Sequence, residues 1–190
     1  MNPVFTLNYP ELLVAEALQK CFKPADGYSV LIPLSAQQKG YDLAIMQRKT
    51  QGSKVATFQV KSSRTYVGTP GKAPRTGMRN FAHYMWLKSF KVPSEADFFI
   101  LIGQYASNPT SQKNTANLWH SHLLLFTHAE MDEFMSSVRQ KKQDKPDGHF
   151  CFGFDTPHEA FWTRGHVQPQ HPDYSKHILA NRIKDISAIL

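Results

Sequence analysis

Cysteine is scarce in this sequence: only Cys21 and Cys151 occur among 190 residues. Two cysteines without a CxxC spacing cannot make the disulfide framework of a small secreted domain. The first residues also lack the basic head, the continuous apolar stretch and the small-residue cleavage site that a secretory signal needs. The sequence therefore predicts an intracellular, cytoplasmic protein whose cysteines are buried as small apolar side chains.

Long apolar runs and the common nucleotide-binding and hydrolase motifs are also missing. No run approaches the length that spans a bilayer, so we expect no membrane. The absence of GxSxG, P-loop and Rossmann glycine patterns argues against the common hydrolase, NTPase and dehydrogenase classes.

The composition is that of an ordinary globular protein, with 41% hydrophobic and 19% charged residues. A chain of 190 residues is long enough for one well-buried core and short for two. We therefore expect a single domain over residues 1–190, with a core at about 5–140 and a C-terminal elaboration of strand and helix at 149–190.

Acidic residues are missing between Asp42 and Glu95, where ten basic residues occur. Subtracting these ten from the 22 basic residues of the chain leaves 12 against 15 acidic ones, so the net charge of +7 is concentrated in this stretch. Such a local positive field suits a phosphate-rich polyanion such as nucleic acid. A solvated basic face without a partner is the alternative, and charge alone does not decide between them.

The first third of the chain predicts a helix followed by three strands. The helix should begin near Tyr9 and end before Lys23. Glu16 falls between two leucines in helical projection, so its carboxylate is predicted to point inward. An antiparallel meander of short strands is predicted at 28–33, 41–46 and 55–62.

The remainder of the chain predicts further strands and two helices. The segment 66–75 contains glycine and proline without an apolar period and is expected to be a mobile loop. Thr127 and Glu130 fit a capping box that begins a helix, and an apolar face from Asp173 onward predicts a closing helix. Strands are predicted at 97–105, 118–126 and 149–154, and 81–87 fits a strand although its pattern also allows a helix. The predicted fold class is α/β.

Four polar residues of the first third are predicted to converge. Gln59 and Lys61 lie two apart on a strand and therefore share a face. Asp42 lies across from them if its strand is the antiparallel neighbour, and an inward-pointing Glu16 adds a second carboxylate. Phosphodiester hydrolysis needs charge neutralisation at phosphorus and an activated water, which Mg²⁺ held by hard oxygen ligands supplies. Lys61 can stabilise the attacking hydroxide, and the carbonyl oxygens of Gln59 and Val60 can add ligands.

The run of Glu16, Gly40-Tyr41-Asp42-Leu43-Ala44 and Phe58-Gln59-Val60-Lys61-Ser62-Ser63 resembles the PD-(D/E)xK nuclease superfamily. The resemblance is to members with a QxK variant, including some homing endonucleases, with Holliday junction resolvases as more distant relatives. It covers roughly the first third of the chain as a motif.

The resemblance implies a restriction-endonuclease-like mixed sheet flanked by α-helices, DNA as substrate, and Mg²⁺ or Mn²⁺ as cofactor. In it, Asp42 corresponds to the metal ligand, Lys61 to the motif lysine, Gln59 to a replaced acid and Glu16 to the helix acid. The expected function is metal-dependent DNA endonuclease activity, with a homodimer as the simplest way to cut both strands. The expected nucleic-acid contacts are Ser63, Arg64, Lys72, Arg75 and Arg79.

Three alternatives remain open from the sequence. Because Gln59 removes a formal charge, a nuclease-fold protein that binds nucleic acid without cutting it is the first. A protein-interaction subunit whose basic loop meets an acidic partner is the second. A Zn²⁺ site at His120, His122 and His128 is the third, although no cysteine or carboxylate with ligand spacing completes it.

Overall fold

The computed structural model describes residues 9–33, 40–50, 52–72, 79–106, 119–140, 143, 145–166 and 171–190. Within these ranges the chain is α/β, as predicted. The α-helices are α1 (Tyr9–Cys21), α2 (His128–Ser137) and α3 (Ile183–Ile189). The strands are β1 (Tyr28–Leu31), β2 (Leu43–Lys49), β3 (Gly52–Val67), β4 (Gly71–Lys72), β5 (Arg79–Asn80), β6 (His83–Lys88), β7 (Phe98–Ala106), β8 (Trp119–Thr127), β9 (His149–Phe154) and β10 (Phe161–Arg164).

Five strands form a mixed sheet in the order β1-β2-β3-β7-β8. The first three are the antiparallel meander that the sequence predicts, with Leu43 opposite Phe58. Strand β7 then runs parallel to β3, with Phe98 beside Phe58, and β8 is antiparallel to β7. This arrangement leaves the start of β2 beside the middle of β3.

Strand β3 is longer than predicted, because its end joins a second sheet. Its residues 65–67 pair with β6, which pairs in turn with β9 and then β10. The predicted loop at 66–75 therefore begins inside a strand, and β4 pairs with β5 further along it. Residues 73–75 of that segment lie outside the described residues. Strand β10 was not predicted.

Two hydrophobic cores lie on opposite faces of the mixed sheet. The first packs α1 and α3 against one face and includes Leu18, Phe58, Val60 and Ile186. The second fills the space between the other face, the second sheet and α2. Its buried members include Met85, Phe99, Leu101, Phe126, Phe134, Phe150 and Phe152. Since residues alternate along a strand, Gln59 and Lys61 lie on the face opposite to that of Phe58 and Val60.

The helices follow the sequence signals with one correction. Thr127 and Glu130 form the predicted capping box, in which the Thr127 amide donates to Glu130 Oε2 at 2.9 Å. Of the apolar face predicted for the closing helix, Ile183 and Ile186 lie in α3, whereas Leu179 lies in a short 3-10 turn before it. Ile178 forms an isolated antiparallel bridge with Leu124, between two single turns of 3-10 helix at Ser175–His177 and Leu179–Asn181. The predicted apolar face of the closing helix nevertheless packs into the first core, which contains Leu179, Ile186 and Leu190, with Ile183 packed against it.

The cysteines differ in environment. Cys151 is buried, as predicted, and burial raises the pKa of its thiol to about 11. Cys21 is exposed at the end of α1, so the prediction that it is buried is wrong. None of the helices in the described ranges is long and apolar enough to cross a membrane.

Candidate functional site

The site begins at the turn that leads into β2. Gly40 has a φ of +96°, and a Cβ atom added there would lie 2.5 Å from the Cβ of Glu95. A larger residue would be both strained and in collision at this position. The turn delivers Asp42 directly opposite Gln59, where the Asp42 amide donates to the carbonyl of Phe58 at 2.7 Å.

The carboxylate of Asp42 binds two groups of β3. Its Oδ2 accepts the Val60 amide at 2.7 Å and also accepts the side-chain amide of Gln59. The predicted juxtaposition of these two side chains is therefore observed. A carboxylate only accepts hydrogen bonds, so Gln59 presents its nitrogen to Asp42, and its Oε1 makes no bond to that carboxylate. Among the described residues, none donates to Asp42 Oδ1.

The main chain of Val60 contributes a further oxygen to this place. The N–H and C=O groups of one strand residue point to the same edge of the strand. Phe58 and Val60 both turn these groups toward β2, but β2 begins at Leu43, opposite Phe58. The Val60 carbonyl therefore points to the side of β3 on which Asp42 lies, at a position beyond the end of β2.

Lys61 occupies the same face of β3 as Gln59. Its Nζ lies 5.2 Å from the centroid of the Phe90 ring, a cation–π distance. The ring of Phe90 in turn stacks on Phe99, with 6.1 Å between the ring centroids. Lys61 is partly buried and makes no ion pair with the described residues. The ammonium group is thus held at the face of β3 without being neutralised.

Glu16 is not part of this group of side chains. Helix α1 packs on the other face of the sheet through Val14, Ala15 and Leu18. The Glu16 carboxylate points outward, with 59% of its side chain exposed, and pairs with Lys20 at 2.7 Å. The predicted inward direction of Glu16 is wrong, because α1 packs through the side that carries Val14, Ala15 and Leu18, which is nearly opposite to the sector in which the projection placed Glu16.

The five residues predicted to contact nucleic acid differ in their surroundings. Ser63 donates its hydroxyl to the carbonyl of Trp86. Arg79 is bound within the protein: its Nε lies 2.8 Å from Asp155 Oδ2, and its guanidinium lies about 5 Å from the rings of both Phe81 and Phe161. The backbone of Arg64 lies in β3 and that of Lys72 in β4, and Arg75 lies outside the described residues.

The donor atoms at this site are oxygens from one carboxylate, one amide and one carbonyl group. In the described part of the chain, no three His, Cys, Asp or Glu side chains are close enough together to hold a metal ion. The histidines considered for Zn²⁺ do not form such a group either. The ring of His122 is stacked on those of Phe154 and Tyr105, and His128 lies near Phe99. The site offers hard oxygen donors rather than the nitrogen and sulfur donors that Zn²⁺ prefers.

Sequence reasoning missed the segment that borders the site, residues 89–97. Phe90 supports Lys61, and Glu95 packs against Gly40. Asp97 fixes the start of β7, since its Oδ2 accepts both the amide and the hydroxyl of Thr57 at 2.8 Å. One signal was present: Glu95 ends the acid-free stretch that Asp42 begins, and Glu95 lies against Gly40, two residues before Asp42.

Comparisons with known proteins give no relative from which to transfer a function. No protein-family model matches the chain, no curated protein matches it, and no solved structure is significantly similar to it.

Proposed function

We propose that this chain is a metal-dependent DNA endonuclease whose site consists of Asp42, Gln59, Val60 and Lys61. The observation that carries the proposal is the bonding of Asp42 to both Gln59 and the Val60 amide, with Lys61 on the same face. This brings a carboxylate, two further oxygens and an ammonium group to one edge of a sheet. The acid-free, basic stretch around them supplies the field that attracts a polyanion.

The donor set fits Mg²⁺ or Mn²⁺. Asp42, the Oε1 atom of Gln59 and the carbonyl of Val60 are the residues that would hold the ion, with waters and substrate phosphate completing its ligands. Mg²⁺ usually binds proteins through only one or two carboxylates and retains several waters. When bound, the ion would lower the pKa of a water and neutralise charge on the phosphate.

The remaining steps fall to the side chains of this chain. Lys61 stabilises negative charge as it develops on the phosphate oxygens, and it can orient the attacking water. Phe90 limits the directions available to the Lys61 ammonium, because the two are in cation–π contact at 5.2 Å. The amide of Gln59 fixes the Asp42 carboxylate in one orientation, which is the preorganisation that electrostatic catalysis needs.

The fold supports the finer assignment to a restriction-endonuclease-like arrangement. A helix precedes an antiparallel meander that carries the site, and β7 runs parallel to the strand that bears Gln59 and Lys61. Helices cover one face of this mixed sheet, and α2 lies on the side of the other. We further propose that the protein acts as a homodimer, since two symmetric sites would cut both strands.

A protein that binds nucleic acid without cutting it is the second candidate. The observation that favours it is the single carboxylate in the donor set, because Gln59 stands where a second charge would strengthen metal binding. In this candidate Asp42 serves only to fix the end of β3 through the Val60 amide.

The two candidates are separated by incubating the protein with supercoiled plasmid DNA in Mg²⁺, in Mn²⁺ and in EDTA. We expect nicked and linear DNA with either ion and none in EDTA. Salt-dependent DNA retention in a gel shift without any turnover would instead support the non-cutting candidate. Loss of retention even at low salt would contradict both and favour an acidic protein partner.

Replacing Gln59 by Glu tests the metal directly. Without metal, two carboxylates would face each other at hydrogen-bond distance, so we expect Gln59→Glu to lower the melting temperature in EDTA. Added Mg²⁺ should then raise it by several degrees more than in the wild type, because the ion relieves the repulsion and binds more tightly. Differential scanning calorimetry over a Mg²⁺ series measures both effects.

The matched control for this variant is Gln47→Glu. Gln47 lies on β2 and bonds the hydroxyl of Tyr28 rather than a carboxylate, so its replacement should give no Mg²⁺-dependent recovery. An equal response of Gln47→Glu and Gln59→Glu to Mg²⁺ would count against a metal at Asp42.

A further inference from the structure

Three aromatic side chains lie together on the outer face of the second sheet. Tyr66 pairs with Tyr84 across β3 and β6, and Trp86 follows two residues later on β6. Residues at these positions share one face of a sheet. Their neighbours Met85 and Leu87 point the other way, into the second core. We call Tyr66, Tyr84 and Trp86 the aromatic face.

The aromatic face forms an open recess of about 460 Å³ that these three residues line. Tyr66 is 55% exposed and Trp86 is 37% exposed, which is unusual for large aromatic residues on a sheet. Tyr84 is held in position, since its hydroxyl accepts the amide of Phe81 at 3.0 Å. The recess is therefore built from rings of which at least one is rigidly fixed.

Positive charge borders the aromatic face. The guanidinium of Arg164 lies 4.7 Å from the ring of Trp86, and exposed Lys88 follows Trp86 on the same face of β6. Asp147 pairs with Arg164 at 3.2 Å and offsets its charge, so Lys88 supplies the excess positive charge of this group. Tyr66, Tyr84 and Trp86 all fall within the stretch from Asp42 to Glu95 that contains no other acid. The charge therefore favours an anionic occupant.

We propose that the aromatic face binds single-stranded nucleic acid by stacking unpaired bases on Tyr66 and Trp86. Aromatic rings on a sheet, bordered by Lys and Arg, are the combination that binds single strands, because the rings take the bases and the cations take the phosphates. A paired duplex cannot use the rings, since its bases are already stacked on each other.

The aromatic face and the candidate active site lie on opposite faces of one strand. Lys61 and Tyr66 are five residues apart on β3, about 17 Å along an extended chain, and side chains an odd number of residues apart point to opposite faces. Between them, the hydroxyl of Ser63 bonds the carbonyl of Trp86 and ties β3 to β6. In so far as the inference names the substrate, it rests on the proposed function, and it assigns the nuclease a preference for DNA with an unpaired segment.

Fluorescence of Trp86 provides the test, because a stacked base quenches an indole. Trp162 is buried and Trp86 is partly exposed, and a Trp86→Phe variant identifies the share of the signal that comes from Trp86. The full-length protein is titrated in EDTA with a 12-residue thymidine oligonucleotide and with an abasic oligonucleotide of equal length and charge. We expect quenching with the first, at least about tenfold weaker binding of the second, and weak binding of the corresponding duplex.

A Tyr66→Ala variant should weaken binding of the thymidine oligonucleotide by about 5- to 100-fold, the range found for loss of one stacking partner. Tyr9→Ala is the matched control, because Tyr9 is 52% exposed on α1, and it should bind as the wild type does. Circular dichroism confirms that both variants are folded.

Equal affinity for the thymidine and abasic oligonucleotides, or quenching only by a proline-rich peptide, would overturn the inference. Because EDTA prevents metal-dependent cleavage, this test is separate from the test of the nuclease. Base stacking without DNA cleavage at any metal concentration would support the aromatic face as a binding site and contradict the proposed nuclease activity. DNA cleavage without base stacking would support the nuclease activity and contradict this inference.

Discussion

Replacing Lys61 by Met is expected to lower the rate of Mg²⁺-dependent DNA cleavage by about 10²- to 10³-fold, the usual effect of removing one group that stabilises transition-state charge. Methionine keeps an unbranched apolar stem against Phe90 and removes only the ammonium group. Asp42→Asn should cost at least as much, because Asp42 is the one carboxylate among the proposed ligands. Initial rates of nicking of supercoiled plasmid DNA measure both effects.

DNA retention separates a chemical effect from a binding effect in these variants. At one fixed salt concentration, Lys61→Met removes a single positive charge and should weaken a gel shift only a few-fold. A loss of cleavage that matches the loss of retention would mean that Lys61 binds DNA without acting in the reaction.

The Glu16→Gln variant distinguishes the site seen in the structure from the site predicted from the sequence. The sequence predicts that this variant loses activity, since Glu16 corresponds to the helix acid of the resembling family. The structure predicts full activity, because Glu16 is exposed and paired with Lys20 on the opposite side of the sheet. Cleavage that falls as strongly in Glu16→Gln as in Asp42→Asn would contradict the site described above.

Strand pairing near the site could be predicted because it depends on local signals. The turn that the sequence predicts at Gln51-Gly52-Ser53 joins two segments with β-branched and aromatic residues, so a hairpin is the simplest arrangement. Once β2 and β3 are antiparallel, the turn length sets the register that brings Asp42 opposite Gln59. The bonds of Asp42 to Gln59 and Val60 follow from that register.

The direction of the Glu16 side chain, unlike the pairing of β2 and β3, could not be predicted from local signals. A helical projection gives angles within the helix, and the rotation of the helix against the sheet is decided by packing. Leu12, which the projection placed in the apolar sector, is 42% exposed, and Val14 is buried instead. The helix is therefore turned away from the orientation that would direct Glu16 inward.

The second sheet depends on pairing between distant segments. Tyr66 and Val67 are followed by glycine and proline, which locally favour a loop, but pairing with β6 extends β3 through both of them. Strand β6 is itself fixed by β9, more than sixty residues later in the chain. Such long-range pairing overrides local propensity, so the aromatic face could not be recognised from the sequence.

His122 should make the stability of the fold depend steeply on pH below 6.5. Burial, and then the positive charges that His83 and His120 acquire, lower its pKa from 6.5 to about 3. The ring is stacked on Phe154 at 4.0 Å between centroids, and its Nε2 has no hydrogen-bond partner among the described residues. An imidazolium at this position would be buried without compensation.

The sign of the effect follows from the direction of the shift. Because the pKa of His122 is lower in the folded state, the unfolded chain binds the proton first as pH falls. Its contribution to stability is complete above pH 6.5 and is lost progressively toward pH 3. One proton over this window changes the free energy of unfolding by about 1.4 kcal/mol per pH unit, or about 2 to 3 kcal/mol by pH 4.5.

Urea unfolding of His122→Phe at pH 7.0, 5.5 and 4.5 isolates this contribution from that of other groups. Phenylalanine can retain the stack on Phe154 and cannot be protonated, so the variant should lose about 2 to 3 kcal/mol less than the wild type between pH 7.0 and 4.5. His120→Phe is the matched control on the same strand, where the side chain is exposed, and it should stay much closer to the wild type than His122→Phe does, because burial lowers the pKa of His122 more than the His120 charge does. If the free energy of unfolding fell equally with pH in the wild type and in His122→Phe, the prediction would be wrong. The imidazolium of His122 would then reach solvent in the folded state, because only burial disfavours its protonation.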